Sequence, residues 1–349
     1  MPSSPQNTNQ RKSSHLNVCL TAPVEHRTTT GFERFRLVHN ALPEVSLEGV
    51  DTSTSLFGKR LGAPLMIGAV TGGTAFGREI NRNLAAAADS LRLGMCLGSQ
   101  RVALEDSSTK DTFRVRDIAP NILLFANLGA IQLNNGFSLD DCQRAVEMAG
   151  ADALTLHLNP LQEALQTGGD TNFGGLLARI EALCTELPVP VIVKEVGCGL
   201  SAEVAVQLSN AGVAALDVAG AGGTSWAKVQ GAAAETDLQR HLAQDFAEWG
   251  IPTAESLVQV RSAVPDLPII ASGGIRSGID AAKAIALGAD AVSLALPLLK
   301  PASKSASSVQ YALEELIAAL RMAMFCTGSA TCSDLEGKTF RIADGPEAP

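Results

Sequence analysis

Ile269-Ile270-Ala271-Ser272-Gly273-Gly274-Ile275-Arg276-Ser277-Gly278 decides how this chain is read. An apolar run ends in a glycine pair, and a polar residue opens the next element. One helix-length stretch later comes Gly288-Ala289-Asp290-Ala291-Val292-Ser293-Leu294-Ala295, a second apolar run ending in small residues. The last two strands of a (β/α)8 barrel read this way when their loops close on a phosphate. Glycines let backbone amides approach an anion, and the following helix offers its partly positive N-terminus. A phosphate-bearing cofactor or substrate is the first expectation. A βα turn with glycines for packing alone is the plainer one.

The same rhythm extends backwards. Apolar strand candidates are Pro64–Ala69, Met95–Gly98, Ile122–Asn127, Ala153–Leu158, Val189–Glu195, Ala214–Ala219, Leu267–Ser272 and Asp290–Ala295. Helix-length runs lie between them, among them Arg78–Ser90, Leu139–Ala149, Phe173–Glu186, Ala202–Ala211 and Ile279–Leu287. Two more, Glu235–Trp249 and Thr253–Val264, are separated by the break Gly250-Ile251-Pro252. Strands buried on both faces are apolar throughout, and eight of them alternating with helices predict one closed TIM barrel over residues 63–328. Residues 11–62 read as an N-terminal arm with a capping hairpin, Thr54–Leu61, whose turn is expected at Gly58-Lys59. Residues 1–10 lack apolar periodicity and are expected to be disordered; residues 329–349 read as a C-terminal tail with no assigned role.

Composition narrows the function classes. A net charge of −9 argues against nucleic acid as a partner, so any anionic ligand must be held by local Arg and Lys. Seven cysteines without a Cys-x-x-Cys imply a reducing compartment and no disulfides. No apolar run reaches membrane-spanning length and no signal-peptide core opens the chain, so a cytoplasmic protein is expected. The apolar-rich run Gln310–Phe325 could cap the barrel or meet a partner, and a homo-oligomer is expected.

Chemistry in a barrel concentrates at the C-terminal ends of its strands. Those ends carry Val70-Thr71-Gly72-Gly73, Ser99-Gln100-Arg101, Asn127-Leu128-Gly129, His157 to Glu163, Lys194-Glu195, and Gly220 to Ser225. Lys194 closes a strand too apolar to want an ammonium for packing. It could form a Schiff base, place positive charge beside a cofactor ring, or pair with Glu195. His157 at a strand end suggests ligand binding. Arg101 suits a phosphate clamp, and the solitary Glu163 suits Mg2+ shared with a substrate's phosphates.

These motifs together resemble one family. Arg11-Lys12 with His15, Val38 to Pro43, Thr71-Gly72-Gly73, Gly98-Ser99-Gln100-Arg101, His157-Leu158-Asn159-Pro160-Leu161-Gln162-Glu163, Gly168 to Phe173, Lys194-Glu195-Val196-Gly197, Gly222 to Trp226 and Trp249 to Thr253 are similar to the type 2 isopentenyl-diphosphate Δ-isomerases. The resemblance runs from about Arg11 to Leu299, and the run from His157 to Glu163 is its most specific part. It implies a flavin barrel that interconverts isopentenyl and dimethylallyl diphosphates in isoprenoid biosynthesis, with reduced FMN, Mg2+, and NADPH as flavin reductant. No fingerprint separates NADH from NADPH, as expected for transient docking.

Carried over residue by residue, the resemblance places FMN against Ala69, Val70, Thr71, Ser99, Asn127, Lys194 and Thr224. Its phosphate would sit on Gly273, Gly274 and Arg276, with Ala295 and Leu296 alongside. Arg11, Lys12, Ser99, Gln100, Arg101 and His157 would meet the diphosphate. Gln162 and His157 are the expected catalytic residues, Gln162 lying by the reacting carbons, and Glu163 would hold Mg2+. Ser14 stands where the family often has an acidic residue, Gly68 where it has Asn or Ser, and Val70 where it has Met.

Three rivals remain at this point. A 2-hydroxy-acid-oxidising flavin barrel needs a histidine late in the barrel, and none of the five histidines ends strand seven or eight. A Schiff-base aldolase would use Lys194. A non-catalytic flavin-storing barrel would not need Arg101, Gln162 and Glu163 together.

Overall fold

The computed structural model describes residues 5–342, with side chains from residue 11 onward. Eight parallel strands close into a barrel: β1 Leu65–Ile67, β2 Gly94–Cys96, β3 Leu123–Gly129, β4 Ala153–His157, β5 Val191–Lys194, β6 Ala215–Asp217, β7 Ile269–Ser272 and β8 Ala291–Leu294. Each lies inside or within two residues of its predicted run, and β8 returns to pair with β1 in register, Ser293 opposite Met66.

Side-chain alternation builds the site before any loop is considered. Met66, Phe125, Ala153, Ile192, Ala215, Ile270 and Ala291 form the apolar filling of the barrel. Residues two or four further along a strand face the same way. Asn127, His157, Lys194, Asp217, Ser272 and Ser293 therefore ring the C-terminal mouth above an apolar floor, and all six line the cavity there. A second and larger apolar layer lies outside the barrel, between the strands and their helices.

The hairpin Thr54–Leu56 with Lys59–Leu61 plugs the opposite end. Its turn is Phe57-Gly58, one residue earlier than expected, because both take positive φ (48° and 73°) as a two-residue hairpin turn requires. Phe57 meets Phe125 edge-on at 5.7 Å, and Lys59 pairs with Asp152 at 2.8 Å.

Both chain ends correct the sequence reading. A helix spans Pro5–Thr21, so residues 5–10 are helical instead of disordered; residues 1–4 lie outside the described residues. Its polar start carries no periodic signal, and the helix is held from its later turns, where Leu16 is buried and His15 packs edge-on against Trp226. The expected C-terminal tail is ordered as far as Ile342. Thr339–Arg341 pairs antiparallel with Phe35–Leu37, and Lys338 bonds the Thr327 and Gly328 carbonyls at 3.0 and 3.1 Å. Residues 343–349 lie outside the described residues.

The run expected from Gln310 is a longer helix, Ala306–Cys326, packed on Ala75–Leu91 and Gly278–Ala286 at the barrel's flank. All seven cysteines are free. Among the described residues, no helix is long and apolar enough to cross a membrane.

Candidate active site

A cavity of about 330 Å3 fills the barrel mouth. Its walls are the strand ends and its roof is the N-terminal helix, which contributes Arg11, Lys12 and His15. Every residue named from the sequence as a site candidate borders it, with one exception. Gln100 is fully buried, its amide donating to the Ala145 carbonyl at 2.9 Å and accepting from the Asn127 N–H at 2.9 Å. Its side chain points away from the cavity, between β3 and the helix Leu139–Ala149.

The roof and the β2 end are cationic. Lys12 Nζ donates to the Ser99 carbonyl at 2.6 Å and lies 5.0 Å from the centre of the Phe113 ring. Desolvation pulls its pKa down to about 7, against the milder pull of Glu105. An ammonium so placed, with a carbonyl and a ring for company, gains most from an anion. Burial and neighbouring Arg101 also lower the pKa of Arg11. Arg101 is itself held by Glu105 (2.7 Å) and Asp170 (3.0 Å), which outweigh burial and raise its pKa.

The β4 end carries the residues expected to act on substrate. His157 Nδ1 meets Asn127 Oδ1 at 2.8 Å. Desolvation, then the charges of Lys194 and Lys12, push its pKa down to about 3, so the imidazole is neutral at physiological pH. Glu163, 8% exposed, lies in the first turn of the short helix Pro160–Leu165 and is fixed from two sides. Its Oε1 accepts from Asn159 Nδ2 at 2.8 Å, and its Oε2 from the Asp170 N–H at 2.8 Å. Gln162 Oε1 accepts from the same Asn159 amide at 3.3 Å, while Asn159 Oδ1 is buried without a partner. No group of three or more metal-ligating side chains exists among the described residues. Glu163, with a lone pair of Oε1 still open, suits a Mg2+ ion that takes its other oxygens from water and a phosphate.

Lys194 and Asp217 stand side by side on β5 and β6, registered partners across the ladder. Lys194 Nζ donates to the Glu195 backbone carbonyl, not its carboxylate. Glu195 Oε2 instead accepts from the N–H groups of Val196, Gly197 and Cys198 at 2.5–2.7 Å, which fixes the turn below the cavity. The pairing of Lys194 with the Glu195 side chain, open from sequence, is not made. Asp217, Asn159 and Trp226 are cavity residues that the sequence reading did not assign. Asp217 carried a usable signal: an acid ending an apolar strand.

The loops after β6 and β7 form a cradle. Gly273 and Gly274 take φ of 100° and 77°, and a Cβ on Gly273 would come within 2.1 Å of the Gly220 carbonyl oxygen. Only glycine fits there, and the bare backbone faces the cavity. Thr224 borders this cradle, with Ala295 and Leu296 across it. Ala69, Val70, Thr71 and Ser99 line the adjoining wall. Such a mouth, with an apolar floor, one lysine at its side and a glycine cradle at its rim, fits a flat ring system carrying a phosphate. Arg276 reaches the cavity edge but is paired with Glu25 of the N-terminal arm.

Known proteins resemble the chain at two levels. The FMN-dependent dehydrogenase family matches residues 21–119 and 131–342. Among solved structures, a mandelate oxidase variant with an FMN monooxide adduct superimposes with a TM-score of 0.65 at 21% identity, covering 96% of this chain and 95% of that one. A putative lactate oxidase of Pediococcus acidilactici gives 0.64 at 18%, covering 97% and 94%. These likenesses speak to the fold. Sequence relatives are far closer. Isopentenyl-diphosphate delta-isomerase of Synechococcus sp. is 58% identical over 321 residues, 92% of each chain. The protein of that name from Stutzerimonas stutzeri is 53% identical over 334 residues, 95% of this chain and 96% of its own. With that identity along nearly the whole length, the chain belongs to the isopentenyl-diphosphate delta-isomerase family and is an isomerase.

Proposed function

We propose that the protein interconverts isopentenyl and dimethylallyl diphosphates, with FMN in the barrel mouth, Mg2+ at Glu163 and NADPH as the source of flavin reduction. The observation that carries this reading is Lys12: a desolvated ammonium bonded to a carbonyl, roofing a cavity whose rim also bears Arg11 and Arg101. That arrangement favours a multiply charged anion with an apolar tail pointing down into the mouth.

The reaction adds a proton at one carbon and removes one nearby, with no net redox change. The hard step places positive charge on a tertiary carbon. Reduced FMN, when bound, supplies an electron-rich ring that stabilises such charge and can pass a proton. The side chains hold the geometry. Lys12, Arg11 and Arg101 anchor the diphosphate, and Glu163 holds the shared Mg2+ ion; the short hydrocarbon tail is then confined against the floor. His157, neutral and fixed by Asn127, serves as a hydrogen-bonding wall and adds no further charge. Gln162, tethered through Asn159, presents an uncharged amide beside the reacting carbons. The 2-hydroxy-acid oxidase reading finds no support at the site. The ends of β7 and β8 carry Ser272, Gly273, Ser293 and Leu294, with no imidazole to act as base.

The test is product analysis of isopentenyl diphosphate incubated with protein, FMN, Mg2+ and NADPH. Dimethylallyl diphosphate should accumulate with far less than one NADPH consumed per turnover. Equal conversion with the flavin kept oxidised, or a protein that takes up no flavin, would end this reading.

A further inference from the structure

The mechanism above leaves one cavity-lining carboxylate without a task. Asp217 closes β6 directly opposite Lys194, and both side chains border the mouth. Asp217 is only 6% exposed, which is costly for a carboxylate. Its Oδ1 accepts from Ser272 Oγ at 2.5 Å and from the Ala219 N–H at 3.2 Å. Its Oδ2 accepts no hydrogen bond among the described residues. Burial raises its pKa, and Lys194 is the first influence holding it down. Ser272 is anchored in β7, so the carboxylate is set by a neighbouring strand as well as by the turn that follows its own.

A structural role explains little of this. The strand ladder already aligns β5, β6 and β7 through backbone bonds, and an Asn or Ser at this position would cost less to bury. What an aspartate adds is a fixed negative charge beside the lysine. We propose that Asp217 tunes the flavin site electrostatically, its carboxylate setting the net charge of the floor beside Lys194. The inference rests on the reading that FMN occupies this mouth with its ring beside Lys194.

The physical consequence concerns the balance between two flavin states. Two-electron reduction leaves extra negative charge on the ring system. A neighbouring carboxylate disfavours that charge, while Lys194 favours it. Asp217 thus damps the lysine and keeps the bound flavin from becoming too weak a donor. Removing the carboxylate while keeping its shape should therefore stabilise reduced FMN over oxidised FMN.

The experiment compares wild type with Asp217→Asn, each reconstituted with FMN. Affinity for oxidised FMN is measured by fluorescence quenching, and the midpoint potential by dye-coupled reductive titration. The asparagine variant should bind oxidised FMN within a few-fold of wild type. Its preference for reduced over oxidised FMN should rise about tenfold, which for a two-electron couple is a potential about 30 mV more positive. A purely structural role would weaken both flavin states alike and leave the potential unmoved. An unchanged potential in a variant that binds FMN overturns the inference. Should Asp217→Asn fail to fold, Ser272→Ala decides. It leaves the carboxylate's charge in place but removes the hydroxyl dipole that partly neutralises it, so the potential should shift the opposite way, to more negative values, by a smaller amount; no shift overturns the inference equally. Failure of wild type to bind FMN would instead defeat the parent reading.

Discussion

Glu25 and Arg276 meet across the seam between the N-terminal arm and the loop after β7, with Oε1 of the glutamate accepting from both Nε and Nη2 of the guanidinium. The arm is laid along the glycine cradle at this point. His26 N–H donates to the Gly223 carbonyl at 2.8 Å, and Ser225 N–H to the Val24 carbonyl at 2.8 Å. Glu248 clasps the same segment from outside, accepting from the N–H groups of Arg27 and Thr28 and from Lys228. Arg276, expected from sequence to hold a phosphate, is thus shared with a competing carboxylate.

That sharing predicts a gain on removing the competitor. The pair is partly exposed, and such pairs are worth about 0.2–1 kcal/mol. Glu25→Gln should tighten FMN binding by about two- to fivefold as Arg276 is released toward the cradle. Fluorescence titration of apoprotein at low and high salt checks this, and the difference between the two proteins should shrink as salt rises. Weaker binding in the variant would mean that the pair serves to fasten the arm and not to withhold the arginine.

Lys12 makes diphosphate binding depend on pH in a defined window. Its pKa is depressed to about 7, so the folded chain loses this proton well before the unfolded chain does. Between about pH 7 and the ordinary lysine range the unfolded state binds more protons, and the stability contribution of this group rises with pH. Ligand binding runs the opposite way, because the anion wants the ammonium. Affinity for inorganic pyrophosphate, taken as the ratio of wild type to Lys12→Met, should fall roughly tenfold from about pH 6 to about pH 8. Calorimetry in buffers of different ionisation enthalpy should show proton uptake near pH 8 in wild type alone. A ratio that stays level across this range would remove Lys12 from the anion site.

Glu163 is held by Asn159 and the Asp170 N–H, so its replacement has two separable effects. A glutamine turns an NH2 group toward one of these donors, and the lost bond costs about 1–2 kcal/mol of stability. Neither effect reaches the glycine cradle. Glu163→Gln should therefore lower Mg2+-dependent kcat/KM by at least about 100-fold while FMN affinity stays within about twofold. Thermal melting, flavin titration and a Mg2+ series on one preparation distinguish these effects. Unchanged turnover with an unchanged Mg2+ requirement would take Glu163 out of the site.

How much of this was legible beforehand follows from what each signal reports. Unbroken apolar runs located all eight strands because a strand buried on both faces leaves that trace. Their C-terminal ends, where a barrel gathers its chemistry, then marked Asn127, His157 and Lys194 from their own strands. Asp217 was equally readable, since it stands opposite Lys194 at the same height, but register across strands had to be known first. The helix at Pro5–Thr21 left no trace. Its stability comes from Lys12, His15 and Leu16 meeting the barrel, and such contacts are tertiary. The Glu25–Arg276 pair joins residues far apart in the chain, so no local pattern could announce that the arginine was already engaged.

Gln100 shows the same limit within a single tripeptide, and it yields the sharpest separation of stability from binding. Ser99 and Arg101 border the cavity, while Gln100 between them turns the other way, because the chain there is leaving β2 to begin the short helix Arg101–Glu105. Its amide bridges the helix Leu139–Ala149 and β3, giving a hydrogen bond to the Ala145 carbonyl and taking one from the Asn127 N–H. Truncation to alanine strands both groups in a dry interior, at about 1–3 kcal/mol each. Gln100→Ala should lose about 2–4 kcal/mol in urea unfolding with an unchanged m-value. Where the variant remains folded, its KM for the diphosphate should stay within about twofold of wild type, since this side chain does not border the cavity. Asn127 moves with its backbone, so any loss should fall on FMN affinity first. A large rise in KM with intact stability would place Gln100 at the substrate after all and reverse the orientation assigned to it.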